Sequence, residues 1–204
     1  MKKLSFALLL LAFSLYGEVT LKNSILSFPK AGAKMVPYTQ TVKWISPEER
    51  AAKSTALSDG KDNALKYETI LPGASAEVKI LTSLIFKADK QADYSVVWEA
   101  KSGGDIKEKF LFINLPLNSV KDKKFIFNGR EVPVVSVKKP AWFQLRNQVI
   151  SMTFFKGEEG KEFTLTSKGK IRISCETHPA VNRVWVRIYP VAPQDKIEFT
   201  VKAE

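Results

Sequence analysis

Asp93-Tyr94-Ser95-Val96-Val97-Trp98-Glu99-Ala100-Lys101 places Tyr94, Val96, Trp98 and Ala100 on one side of an extended chain, and the largely polar set Asp93, Ser95, Glu99 and Lys101 on the other. A helix would scatter these two groups around its axis. Successive side chains of a strand point to opposite faces, so a period of two marks a strand with one face on a core and the other toward solvent. The pattern returns at 170–176, where Ile171, Ile173 and Cys175 alternate with Lys170, Arg172, Ser174 and Glu176, and at 196–202, where Ile197, Phe199 and Val201 share a face. Segments 78–87 and 109–115 are more continuously apolar, as expected of strands covered on both sides.

Turn chemistry separates these runs. Ser102-Gly103-Gly104-Asp105, Asn128-Gly129, Gly157-Glu158-Glu159-Gly160 and Lys168-Gly169 each fall between strand-like segments. Asn128-Gly129 is the most specific, because a two-residue hairpin turn of the favoured kind needs positive φ at both positions, which Asn and Gly accept at little cost. It should join 124–127 to 130–135. One stretch departs from the pattern: Ser46-Pro47-Glu48-Glu49 has a capping serine, proline at the first helical position and glutamate three residues after the serine. This predicts a helix over about 47–57. The expectation is therefore an all-β, antiparallel β-sandwich over 18–204 carrying one short helical insertion.

Residues 1–17 read as a signal peptide. Met1-Lys2-Lys3 precedes the apolar run from Leu4 to Phe13, which is too short to span a bilayer comfortably, and Ala12, Ser14 and Gly17 offer small residues for cleavage. The expected location is the periplasm or the cell exterior, with no transmembrane segment in the mature chain. The formal charge of +11, less the two lysines of the leader, leaves +9. In an exported protein that balance points away from nucleic acid and toward anionic polysaccharide, lipopolysaccharide phosphate or the acidic envelope surface. The same lysines also serve to keep a β-rich surface soluble and to blunt its edges. Cys175 is the sole cysteine, so no intramolecular disulfide forms, and its alternation with Ile171 and Ile173 makes it a small inward apolar group.

The inventory for catalysis is thin. His178, in Glu176-Thr177-His178-Pro179, is the only histidine and falls in a turn after a strand. Ser-x-x-Lys occurs at Ser27, Ser58, Ser136 and Ser167, a frequency expected by chance in so lysine-rich a chain and without the helical setting the chemistry requires. Asp59, Asp62 and Asn63 lack the spacing of a twelve-residue calcium loop. No catalytic residue, metal site or cofactor is assigned.

The constellation with binding chemistry is Arg183-Val184-Trp185-Val186-Arg187-Ile188-Tyr189. Alternation sends Val184, Val186 and Ile188 inward and Arg183, Trp185, Arg187 and Tyr189 to the opposite face. An indole and a phenol interleaved with guanidiniums can stack on sugar rings and pair with carboxylates or sulfates. Two readings of this face stand: a ligand-binding surface, or rings packed beneath the helical insertion with arginine stems laid across them. Trp44, Trp98 and Trp142 are expected in the core.

The stretches Phe110-Leu111-Phe112-Ile113-Asn114-Leu115-Pro116, Phe125-Ile126-Phe127-Asn128-Gly129-Arg130-Glu131-Val132-Pro133 and Phe163-Thr164-Leu165-Thr166-Ser167-Lys168-Gly169-Lys170-Ile171 resemble, in their strand-and-turn rhythm, the accessory β-sandwich domains of secreted bacterial polysaccharide-degrading enzymes. The resemblance covers about the last hundred residues, carries over no functional residue, and implies a non-catalytic domain that binds glycan or braces a neighbour. Three expectations follow in order: recognition of a carbohydrate, an anionic glycan in particular, through Arg183, Trp185, Arg187 and Tyr189; an envelope structural or assembly role on another polypeptide; and a small glycan-active enzyme.

Overall fold

The computed structural model describes residues 19–40, 53–58, 63–71, 77–100, 106, 108–135 and 138–204. The leader at 1–17, Trp44, the capping box beginning at Ser46, Asp59, Asp62 and the turn at 102–105 lie outside them. The chain forms β1 (Thr20–Lys22), β2 (Ile25–Phe28), β3 (Ala33–Gln40), β4 (Lys53–Ala56), β5 (Ala64–Leu71), β6 (Val78–Ala88), β7 (Gln91–Ala100), β8 (Glu108–Pro116), the one-turn helix α1 (Leu117–Val120), β9 (Lys124–Phe127), β10 (Arg130–Pro133), β11 (Ala141–Phe154), β12 (Phe163–His178), β13 (Arg183–Pro190) and β14 (Lys196–Ala203). All pairings are antiparallel, and the sheet curls into a half-barrel, the all-β, sandwich-like architecture that the period-two pattern implies.

β12 organises the molecule. Its first residues, Phe163 to Ser167, pair with β14, and its later ones, Ile171 to His178, pair with β13 along the same edge. β11 follows its other edge through both halves. One wing of the sheet then runs β13-β8-β3-β2-β1 and the other β14-β7-β6-β5-β4. Lys168-Gly169, expected as a hairpin turn, lies inside this 16-residue strand. Pairing along this edge passes from β14 to β13 across the dipeptide, and the Gly169 N–H donates to Ser167 Oγ at 3.3 Å. On the other edge β11 pairs with β12 through three register shifts between Trp142 and Ser151, with Gln148 at φ 58°.

The helix expected over 47–57 meets a second correction. Lys53–Ala56 is an extended strand paired with β5, and among the described residues the one α-helix is α1. Ser54 and Thr55 favour extended backbone, and the Ser54 hydroxyl hydrogen-bonds Thr69 across the pair at 2.8 Å. The two hairpin signals with defined φ hold. Asn128 and Gly129 have φ 51° and 76° and join β9 to β10, and Gly157 and Gly160 have φ 76° and 65° in the turn between β11 and β12.

The inward faces merge into one core cluster. Tyr94, Val96 and Trp98 enter it from β7, Ile171, Ile173 and Cys175 from β12, and Ile197, Phe199 and Val201 from β14. Phenylalanines fill its centre: Phe163 stacks on Phe28 at 4.0 Å and on Phe154 at 5.0 Å, tying β12 to β2 and β11. Cys175 is fully buried, and burial pushes its thiol well above the usual range, which keeps it a neutral apolar filler.

Candidate functional site

Val184, Val186 and Ile188 of β13 are fully buried in the core. Their alternates therefore face the outer side of the sheet, as the sequence requires. That side is not uniformly open. Arg183 and Trp185 are partly exposed, whereas Arg187 is 5% and Tyr189 8% exposed. The four residues share a strand face, but only the first two present side chains to solvent.

The burial of Arg187 comes from its lateral neighbours. Trp185 pairs with Asn114 on β8 and with Glu176 on β12, and Glu176 in turn pairs with Trp142 on β11. In the adjacent row Arg187 pairs with Phe112 and Ser174. Three aromatic rings thus converge on one guanidinium: the Arg187 Cζ lies 5.2 Å from the Trp142 centroid, 5.4 Å from that of Trp185 and 5.8 Å from that of Phe112. Cation–π attraction is strongest where the cation is desolvated, and here the rings do the desolvating.

The charge is answered by a single carboxylate oxygen. Glu176 Oε2 accepts a hydrogen bond from Arg187 Nη1 at 3.0 Å and lies 3.1 Å from His178 Nε2, a distance suited to an ion pair but outside hydrogen-bond geometry. The His178 ring rests against the Trp185 indole with centroids 3.5 Å apart. Instead of an exposed turn residue, His178 is the last residue of β12, paired with Arg183 and largely buried by that indole. Further along the face, the Arg172 guanidinium sits 4.4 Å over the Tyr189 ring, while Phe110 flanks the same ring at 5.5 Å. Burial pushes the Tyr189 phenol up, against the hydrogen bond it shares with Ser174, so it remains a neutral packed ring.

Trp142 overturns an expectation. Placed in the core by sequence, it is 60% exposed and belongs to the outer face beside Trp185. The adjacent pair Trp142-Phe143 offers a bulky ring to each side of the strand, and Phe143 takes the inner place, 6.1 Å from Phe125. The register shift between Trp142 and Gln144 then resets the alternation, which no local pattern reveals. Trp98, by contrast, is core. Glu176 was legible only as the polar alternate of Cys175, since its role depends on a partner eleven residues away.

A scan of protein-family models and a search of curated proteins both return no match. The chemistry of the face must speak for itself. Glu176 is the one carboxylate in this cluster, between the Arg187 guanidinium and the His178 ring. Among the described residues no three His, Cys, Asp or Glu side chains gather as a metal site. The cluster offers two rigid indoles with solvent access, a neutralised polar centre, and the cations Lys34, Arg172 and Arg183, which make no ion pair among the described residues.

Proposed function

We propose that the protein is a non-catalytic, exported β-sandwich binding protein that recognises a carbohydrate, an anionic glycan, on the outer face of β13, β12 and β11. The observation that carries this reading is the placement of Trp142 and Trp185 around the buried Arg187 guanidinium, which fixes two indoles where a sugar can reach them. Rigid aromatic surfaces stack on the C–H faces of pyranose rings at little entropic cost, while surrounding cations draw acidic chains. Export rests on the reading of residues 1–17 as a leader. Of the four residues assigned from sequence, Trp185 and Arg183 contact the ligand in this reading. Arg187 and Tyr189 form the packed floor beneath it.

A panel of neutral and acidic polysaccharides in pull-down format, run at low and moderate salt, tests the proposal. Wild-type protein should retain an acidic polysaccharide at moderate salt, and Trp142→Ala or Trp185→Ala should each weaken retention about tenfold, the scale of one lost aromatic contact. Retention by none of the panel, or retention abolished by salt in wild type and variants alike, overturns it.

A second reading, an envelope assembly role on another polypeptide, draws on Leu145, which is 71% exposed and lies beside Trp142 on the same strand. Capture of protein partners that Leu145→Lys abolishes and Trp185→Ala leaves intact would favour it.

A further inference from the structure

The outer face has a direction. Down β13, solvent access closes after Trp185, because Arg187 and Tyr189 are buried. Across the strands it continues: Lys34, Asn114, Trp185, Glu176 and Trp142 stand in register on β3, β8, β13, β12 and β11, each the Cα partner of the next. In this row Lys34 and Trp142 are exposed and Asn114 and Trp185 partly so, while Glu176 is sunk between the two tryptophans. Neighbouring strands are about 4.8 Å apart, so Trp185 and Trp142 are separated by about 10 Å, and the whole row from Lys34 to Trp142 spans about 19 Å.

We infer that this row is an extended binding path for an acidic polysaccharide, running across the strands, with stacking subsites at Trp142 and Trp185 and an anion subsite at Lys34. The inference rests on the carbohydrate reading above and deepens it by naming the length, direction and charge of the ligand. Two indoles about two strand spacings apart match alternate rings of an extended, flat chain; a compact mono- or disaccharide reaches only one of them. The centre repels no acid group strongly, because the Glu176 charge is held by Arg187, with His178 beside it. Lys34 lies at the far end of the row, exposed, and makes no ion pair among the described residues, so it is the cation that a sugar carboxylate extending beyond Trp185 would meet. Arg183, two residues from Trp185 on β13 and the Cα partner of His178, flanks the middle of the row.

Calorimetric titration of the full-length chain with β-1,4-linked mannuronate oligomers of two to eight rings tests this, with cello-oligosaccharides of matching length as the uncharged comparison. Affinity should rise at least about tenfold between the dimer and the hexamer, as two stacking contacts replace one. Lys34→Ala should weaken the mannuronate hexamer about threefold to tenfold, leave the dimer unchanged and leave cellohexaose unchanged, the loss expected for one exposed charge contact. Hexamer affinity equal to that of the dimer, or a Lys34→Ala variant that binds the hexamer as wild type does, overturns the path. Cellohexaose bound as tightly as the mannuronate hexamer overturns the acidic specificity. If polysaccharide retention remains dependent on Trp185 while either of the first two results appears, the carbohydrate reading stands and the path alone fails; if no polysaccharide is retained, both fail.

Discussion

Arg187 and Glu176 pose the sharpest question at the scale of single residues. Their side chains are 6% and 12% exposed and joined at 3.0 Å, so removing either one leaves an unpaired charge away from water. Loss of one partner of a buried pair typically costs about 3–5 kcal/mol, whereas replacing both by apolar groups of similar volume is often close to neutral. Arg187→Ala should therefore lower the urea unfolding free energy by about 3 kcal/mol or more. The pair of changes Arg187→Met with Glu176→Leu should cost less than Arg187→Met alone, as read by a double-mutant cycle. A double-variant loss equal to the sum of the two single losses would show that the pair is not coupled. Arginine is ordinarily a surface residue, and the rings of Trp142, Trp185 and Phe112, drawn from three strands, make the burial of this guanidinium tolerable.

At the scale of elements, the β9–β10 hairpin shows where sequence reasoning is strongest. Asn128-Gly129 was legible because two adjacent residues meet a requirement for positive φ, and the structure gives them 51° and 76°. A Cβ added at Gly129 would meet nothing within 4 Å, so Gly129→Ala isolates the backbone cost and should destabilise by about 1 kcal/mol. Asn128 does more than turn the chain. Its Oδ1 accepts from the Ile150 N–H at 2.8 Å and the Ser151 N–H at 3.1 Å, and its Nδ2 donates to Gln148 O at 3.2 Å, so it fastens the hairpin to β11. Asn128→Ala should cost about 2–3 kcal/mol and raise amide exchange at Ile150 and Ser151, while Gly129→Ala leaves those amides protected. Identical exchange in both variants would remove the fastening role. The continuation of β12 through Lys168-Gly169 was not legible in the same way. The dipeptide carries the same turn composition, but the residues before it pair with β14 and those after it with β13, and nothing within the dipeptide records those neighbours.

Across the whole molecule, carboxylates on opposite parts of the sheet are tuned alike. The Lys168 ammonium beside Asp93, with the Thr200 hydroxyl, holds that carboxyl below its ordinary range against the effect of burial. Burial pushes Glu162 up, but the Gly157 N–H at 2.7 Å and the Lys156 ammonium at 2.9 Å together outweigh it and leave it low. Glu158 follows the same balance against Lys123 and Lys161. A carboxyl whose folded value lies below its unfolded one contributes stability that is present above the unfolded value, about 4, and is lost as pH falls through the folded one. Urea midpoints should hold steady from pH 7 to about 5 and fall steeply below about 4, and Glu162→Gln should shallow that acid limb. An acid limb unchanged in Glu162→Gln would deny it a share. What the sequence alone determined about this protein is the strand character and the inward face of the regularly alternating segments, such as β7, β12, β13 and β14, because alternation is a local property and burying the wrong face is costly. That is how Val184, Val186 and Ile188 were placed correctly, with Arg183, Trp185, Arg187 and Tyr189 opposite them. What only the tertiary structure decided is which members of that opposite face reach solvent and with whom they act. The row Lys34, Asn114, Trp185, Glu176 and Trp142 is assembled by register across five strands, and register is a long-range agreement that no single strand encodes.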